Sequence, residues 1–147
     1  MENHPPMNTH VSPQATTILI VDDQPDNRDM LAELLSSEGY RTVQAASGME
    51  AMDQIAKETP QLILLDVSMP DMDGYAVASL LKADPKTSGI PIIMVTAHTG
   101  RGARVVGLHT GVEDYMTKPV DAPELLLKVR NLLRLRQNAE LAGVRQA

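Results

Sequence analysis

Leu62-Ile63-Leu64-Leu65-Asp66, followed by Val67-Ser68-Met69-Pro70-Asp71-Met72-Asp73-Gly74, is the stretch that decides the fold. Four consecutive large aliphatic residues without alternation fit a strand buried on both faces, as in a parallel sheet covered by helices. A carboxylate at the lip of such a dry core costs free energy unless something compensates it. Open α/β sheets place their sites at the carboxyl ends of the strands, and this strand delivers Asp66 there. Proline and glycine then turn the chain back into a helix. Taken alone, Asp66 reads equally well as an ordinary acid in a strand-end turn.

Upstream, Ile18-Leu19-Ile20-Val21 is a second bare aliphatic run, and it ends in Asp22-Asp23. Three carboxylates brought to one edge raise one another's pKa unless a cation sits among them. Mg²⁺ takes oxygen ligands and suits one or two carboxylates plus a phosphate oxygen. The alternative is that Asp22 and Asp23 cap a helix beginning near Pro25, a task Asp26 could also perform. Downstream, Ile92-Ile93-Met94-Val95 ends in Thr96-Ala97, and Tyr115-Met116-Thr117 ends in Lys118-Pro119. Singly, Thr96 is a strand-end hydroxyl bonding locally and Lys118 a solvated lysine. Together the four strand ends offer acids, a hydroxyl and an ammonium, a set able to hold a phosphoryl group on a carboxylate.

From Thr17 onward strand and helix alternate, which predicts a parallel sheet with right-handed crossovers. A first helix over Pro25 to Glu38 turns Met30, Leu31, Leu34 and Leu35 inward and stops at Gly39. A half-buried strand follows at Arg41 to Ala45. Ser47 and Glu50 have capping-box spacing for a second helix with Met49, Met52, Ile55 and Ala56 inward. A third helix spans Gly74 to Lys82, and Asp84 to Pro91 form a loop. A fourth, at Gly102 to His109, carries two glycines and is the least stable. Asp121 to Glu124 cap a fifth, with Leu125, Val129, Leu132 and Leu133 inward.

These motifs resemble the receiver domains of bacterial two-component response regulators. The match is carried by Asp22-Asp23, by Asp66 in LLDVSMPDMDG, by Thr96 in VTA and by Lys118 in TKP. Thirty residues separate Asp66 from Thr96 and twenty-two separate Thr96 from Lys118. The resemblance spans about residues 17 to 137. It implies a flavodoxin-like doubly wound α/β fold, with five parallel strands in the order 2-1-3-4-5 and five helices. It also implies that Asp66 accepts a phosphoryl group from a sensor histidine kinase or a histidine phosphotransfer protein. Asp23, Asp66 and the Ser68 carbonyl would bind Mg²⁺ directly and Asp22 through water. Lys118 would pair with the phosphoryl oxygens, Thr96 would move to contact them, and Tyr115 stands where the family has its aromatic switch. The face of the fourth helix, fifth strand and fifth helix would then change for a partner, a second copy or an output domain.

Three positions depart from the family or tune it. Val120 stands where an aromatic is common. His98 and Ser68 occupy positions the family uses to tune dephosphorylation, and His98 also reads as an exposed loop residue.

At 147 residues the chain allows one domain with a real core. A hydrophobic content of 43% is globular, and a net charge of −6 argues against direct nucleic-acid binding. No apolar run reaches membrane-spanning length, no signal-peptide pattern opens the chain, and cytoplasm is the default. The absence of cysteine excludes disulfides and thiolate chemistry. With no Phe or Trp, the core falls to aliphatics and nine methionines. Residues 1–16, with three prolines and no periodicity, read as a disordered tail. Residues 17–137 form the domain, and 138–147 a helix end or linker. The basic run KVRNLLRLR is either an exposed amphipathic end or a dimer or signalling helix leading to an output domain.

Two rival functions fit less well. A metal-dependent phosphatase or phosphotransferase using Asp66 as nucleophile needs a further acid and a cap, and the loops here are short. A nucleotide- or flavin-binding domain needs a glycine-rich loop after the first strand, where Asp22 and Asp23 stand instead. The expectation is therefore a phosphoacceptor whose only catalysis is its own Mg²⁺-dependent phosphorylation and dephosphorylation.

Overall fold

A computed structural model describes residues 16–97 and 110–146, with side chains as far as residue 139. The tail, His98 and the expected helix at 102–109 lie outside the described residues. Five strands, β1 (Thr17–Val21), β2 (Arg41–Ala45), β3 (Leu62–Asp66), β4 (Ile92–Thr96) and β5 (Asp114–Thr117), alternate with helices. The described helices are α1 (Pro25–Ser36), α2 (Gly48–Lys57), α3 (Gly74–Ala83) and α4 (Ala122–Gln146), the last being the fifth in the sequence reading. The strands form one parallel sheet in the order β2-β1-β3-β4-β5. The doubly wound α/β fold is as expected.

Side-chain alternation divides the core into two layers. Leu19, Val21, Ile63, Leu65, Ile92, Met94 and Tyr115 pack with Ala51 and Ile55 of α2 and Val77, Ala78 and Leu81 of α3. Ile18, Ile20, Leu62, Leu64, Ile93, Val95 and Met116 pack with Leu31 and Leu35 of α1 and Leu125 and Val129 of α4. Both faces of β1, β3 and β4 are thus dry, which is why their sequences are unbroken aliphatic runs.

Helix faces were harder to read. Met49 is 66% exposed and Met30 50% exposed, and Ala56 also faces solvent, so these three do not join the core. In α2 the buried positions are Gly48, Ala51 and Ile55, with Met52 partly covered. The first helix ends at Ser36 rather than Glu38. A Schellman closure follows it, with Tyr40 N–H bonded to the Leu35 carbonyl and Gly39 N–H to that of Ser36. Gly39 takes the φ of 91° that this closure requires.

Ser47 caps α2 through the Glu50 N–H at 3.1 Å, while the Glu50 carboxylate reaches back to the Ala46 N–H at 2.6 Å. Asp121 caps α4 through the Glu124 N–H at 3.0 Å. The 25 residues of α4 make a rod of about 37 Å, twice the length of the strands it packs on. No helix among the described residues is long and apolar enough to cross a membrane.

Candidate phosphoacceptor and cation site

The carboxyl ends of β1, β3, β4 and β5 converge at one edge. Asp22, Asp23 and Asp66 each offer a carboxylate oxygen, and these three oxygens all lie within 4.8 Å of one another. Asp22 is 2% and Asp66 4% exposed, while Asp23 is half-buried and borders the open side. The Lys118 ammonium reaches in from the end of β5. It stands 3.2 Å from Asp22 Oδ2 and 3.3 Å from Asp66 Oδ1.

Local bonding fixes Asp22, Asp66 and Lys118. Asp22 does not cap α1, which starts without a side-chain cap. Its Oδ1 accepts the Gln24 N–H at 2.8 Å, and its own N–H is held by the Ala45 carbonyl at 3.1 Å. Arg28 of α1 donates to the Asp22 carbonyl at 2.8 Å and to Gln44 at 3.0 Å, pinning the acidic turn to β2. Asp66 Oδ1 accepts the Ser68 N–H at 3.3 Å. Lys118 N–H bonds to the Thr96 carbonyl at 2.7 Å, and the Lys118–Pro119 peptide is cis.

Gly74 closes the β3–α3 loop against the back of Asp66. Its N–H bonds to the Val67 carbonyl at 2.8 Å, and a Cβ there would lie 2.3 Å from the Asp66 carbonyl oxygen. Only glycine permits that approach.

The electrostatics follow from this crowding. Burial pushes the Asp66 carboxyl above the usual range, and the neighbouring Asp22 charge pushes it further; Lys118 and the Ser68 N–H offset part of this. Burial alone would depress the Lys118 ammonium, but Asp66 and Asp22 together raise it above its ordinary value. The cluster carries more acid than its one lysine balances. Hard oxygen donors at this separation are the donor set that Mg²⁺ prefers, so the residues fit that ion.

Thr96 and Tyr115 share the sheet face that α2 and α3 cover. Tyr115 lies opposite Met94 in register, one pleat from Thr96, and is 5% exposed. Tyr75 of α3 packs against the same cluster. Its phenol is pushed up to about 12, chiefly by burial and then by its bond to Tyr115, with the Asp73 charge adding to both. Asp23, Val67, Ser68, Met69, Asp73 and Tyr75 are among the residues that line an open cleft of about 480 Å³ beside the acids.

Of the expected site residues within the described chain, Asp22, Asp23, Asp66, Ser68 and Lys118 come together at this edge. Thr96 ends the adjoining strand β4, and Tyr115 lies further in, opposite Met94. Arg28 and Asp71 were missed. Arg28 could have been suspected as a cation on the first turns of the helix after the acidic pair; Asp71 bonds to α2, a contact that no local spacing announces.

Comparison with known proteins places the chain. A family model described as the response regulator receiver domain matches residues 18–130. The chain is 44% identical over 119 residues to the response regulator PleD of Caulobacter vibrioides, covering 81% of this chain and 26% of PleD. It is 41% identical over 123 residues to the DNA-binding response regulator MtrA of Mycolicibacterium smegmatis, covering 84% of this chain and 52% of MtrA. The chain thus spans about a quarter of the first relative and about half of the second. A solved structure of a putative response regulator from Chloroflexus aurantiacus superposes with a TM-score of 0.78 at 39% identity, covering 81% of this chain and 98% of that one.

Proposed function

The chain belongs to the response regulator receiver domains, and from that premise we propose that Asp66 is its phosphoacceptor. In this reading a carboxylate oxygen of Asp66 attacks the phosphorus of a phosphohistidine on a sensor histidine kinase or histidine phosphotransfer protein. The P–N bond breaks as the O–P bond forms, the donor's imidazole being the leaving group. The single observation that carries it is the Lys118 ammonium within 3.3 Å of buried Asp66 and 3.2 Å of Asp22. A buried acid with a cation already beside it is arranged to receive a dianionic group.

Asp22, Asp23, Asp66 and the Ser68 carbonyl are the proposed Mg²⁺ ligands, Asp22 acting through water. Bound there, Mg²⁺ would neutralise charge developing on the phosphoryl oxygens. Lys118 would exchange its contact with Asp66 for one with a phosphoryl oxygen. The Thr96 hydroxyl would donate a hydrogen bond to another, and Tyr115 would follow into the space Thr96 vacates.

The outcome is a change on the face of β5 and α4, read by a partner, a second copy or an output domain. The reaction is stoichiometric, one phosphoryl group held per chain and removed by self-hydrolysis, rather than dedicated turnover of a small substrate. A cytoplasmic setting, with phosphorylated proteins rather than nucleic acid or membrane as direct partners, completes the proposal.

Incubation with acetyl phosphate and Mg²⁺ tests it by intact-protein mass spectrometry. One added phosphoryl group, lost in Asp66→Asn and in chelator, is expected. Modification, or phosphate release, that survives Asp66→Asn would reject it.

A further inference from the structure

The β3–α3 connection, Val67 to Asp73, is anchored on both sides. On one side the Asp71 carboxylate accepts the N–H groups of Gly48 at 3.2 Å and Met49 at 3.1 Å. These donors belong to the first turn of α2, which intrahelical bonding leaves unpaired, and the negative charge lies at the favourable end of the helix dipole. The bond from Met49 N–H, with that from Gly48, holds the Asp71 carboxyl below the usual range against some desolvation.

The backbone approach there is tight. A Cβ on Gly48 would stand 2.9 Å from Val77 Cγ2 and 3.1 Å from Met72 Cβ. On the other side Asp73 caps α3 through the Ala76 N–H at 2.8 Å. Between the two anchors Ser68 gives its N–H to Asp66 and borders the cleft together with Asp23.

We propose that Asp71 is a positioning residue for the cation site, pinning the loop to the start of α2 so that the Ser68 backbone is held beside Asp23 and Asp66. The inference rests on the phosphoacceptor reading above. Asp71 touches none of the acids; it acts through the loop. A purely structural role, stabilising α2, makes a different prediction, because Ser47 caps the same helix through the Glu50 N–H rather than through a bond to the loop.

Mg²⁺ titration calorimetry on the full chain separates the two roles. Outer-shell groups of this kind alter metal affinity about tenfold or more, so Asp71→Ala should raise the Mg²⁺ Kd about tenfold. Asp71→Asn, which keeps one acceptor oxygen, should raise it about threefold. Ser47→Ala should lower the melting temperature yet leave the Kd unchanged. If Asp71→Ala does not fold, Asp71→Asn decides alone, and a wild-type Kd overturns the inference. A Kd raised as much by Ser47→Ala as by Asp71→Ala overturns it too. Wild-type protein that binds no Mg²⁺, or an Asp66→Asn protein that binds it undiminished, overturns the phosphoacceptor reading and this inference with it.

Discussion

Lys118 Nζ stands 3.3 Å from Asp66 Oδ1, joining the end of β5 to the end of β3 across the intervening β4. The same ammonium also reaches Asp22 at 3.2 Å, so a single lysine offsets two nearly buried carboxylates. Removing one partner from a buried ion pair leaves uncompensated charge, at a cost of roughly 3–5 kcal/mol when burial is complete. Lys118 is partly exposed, so Lys118→Met should cost less, about 2 kcal/mol in urea unfolding at pH 7 in chelator. Added Mg²⁺ should restore part of that loss, because it replaces the missing positive charge. Acetyl phosphate labelling should slow in the same variant. An unchanged urea midpoint in chelator would show that the lysine does not carry this charge.

Acidity gives the second prediction. The Asp66 carboxyl is raised by burial and by Asp22. A carboxyl with a raised folded-state pKa favours the folded protein in its protonated form. That contribution is fully present below the ordinary value of 3.8 and is lost as pH rises through the folded pKa. At neutral pH ionised Asp66 therefore works against folding. In chelator, Asp66→Asn should melt higher than the wild type at pH 7, with the gap narrowing as pH falls towards 4. Thermal melts across that range check the sign, and a gap that widens on acidification would contradict it.

Sterics at the loop give a third. At Gly74 a methyl group would collide with the Asp66 carbonyl at 2.3 Å and the Val67 Cα at 2.9 Å, both backbone atoms unable to move aside cheaply. Gly74→Ala should destabilise by about 2 kcal/mol and weaken Mg²⁺ binding, since Asp66 must shift. Gly89→Ala is the matched control, with nothing within 4 Å of the added methyl. It should stay within about 0.5 kcal/mol of the wild type and bind Mg²⁺ normally. Equal losses for the two variants would discredit the steric account.

The fourth concerns coupling. Tyr115 is buried one pleat from Thr96 and packs with Tyr75. Tyr115→Ala should leave acetyl phosphate labelling of Asp66 within a factor of about three, since the residue sits opposite Met94 rather than at the strand end, while abolishing the phosphorylation-dependent gain in partner or self-association. Sedimentation or pull-down with and without beryllofluoride measures that gain. Its survival would remove Tyr115 from the switch.

How far the chain could be read in advance depended on the kind of contact involved. Strands β1, β3 and β4 announced themselves because burial on both faces leaves no room for polar alternation, and their unbroken runs end in Asp22, Asp66 and Thr96. The caps at Ser47 and Asp121 were equally plain, since each bonds to a group three residues away. Helix faces were less so. Met49 and Met30 look like core residues by spacing, yet 66% and 50% of their surfaces stay in water. Helical period fixes which residues share a stripe, but not how the helix rotates onto the sheet. In α2 the missing side chain of Gly48 permits the close approach to Met72 and Val77.

By itself the sequence determined the alternation of strand and helix, the acids and hydroxyl at strand ends, and the membership those motifs imply, because each is written in residues close together along the chain. Only the tertiary structure decided that three carboxylate oxygens meet within 4.8 Å. It also decided that Lys118 spans two of the acids, that Arg28 clamps the Asp22 turn to Gln44, and that Asp71 ties the loop to α2. The physical reason is that burial is a property of each segment's own pattern, whereas a hydrogen bond or ion pair between distant segments exists only once the sheet has set which strand ends and helix starts are neighbours.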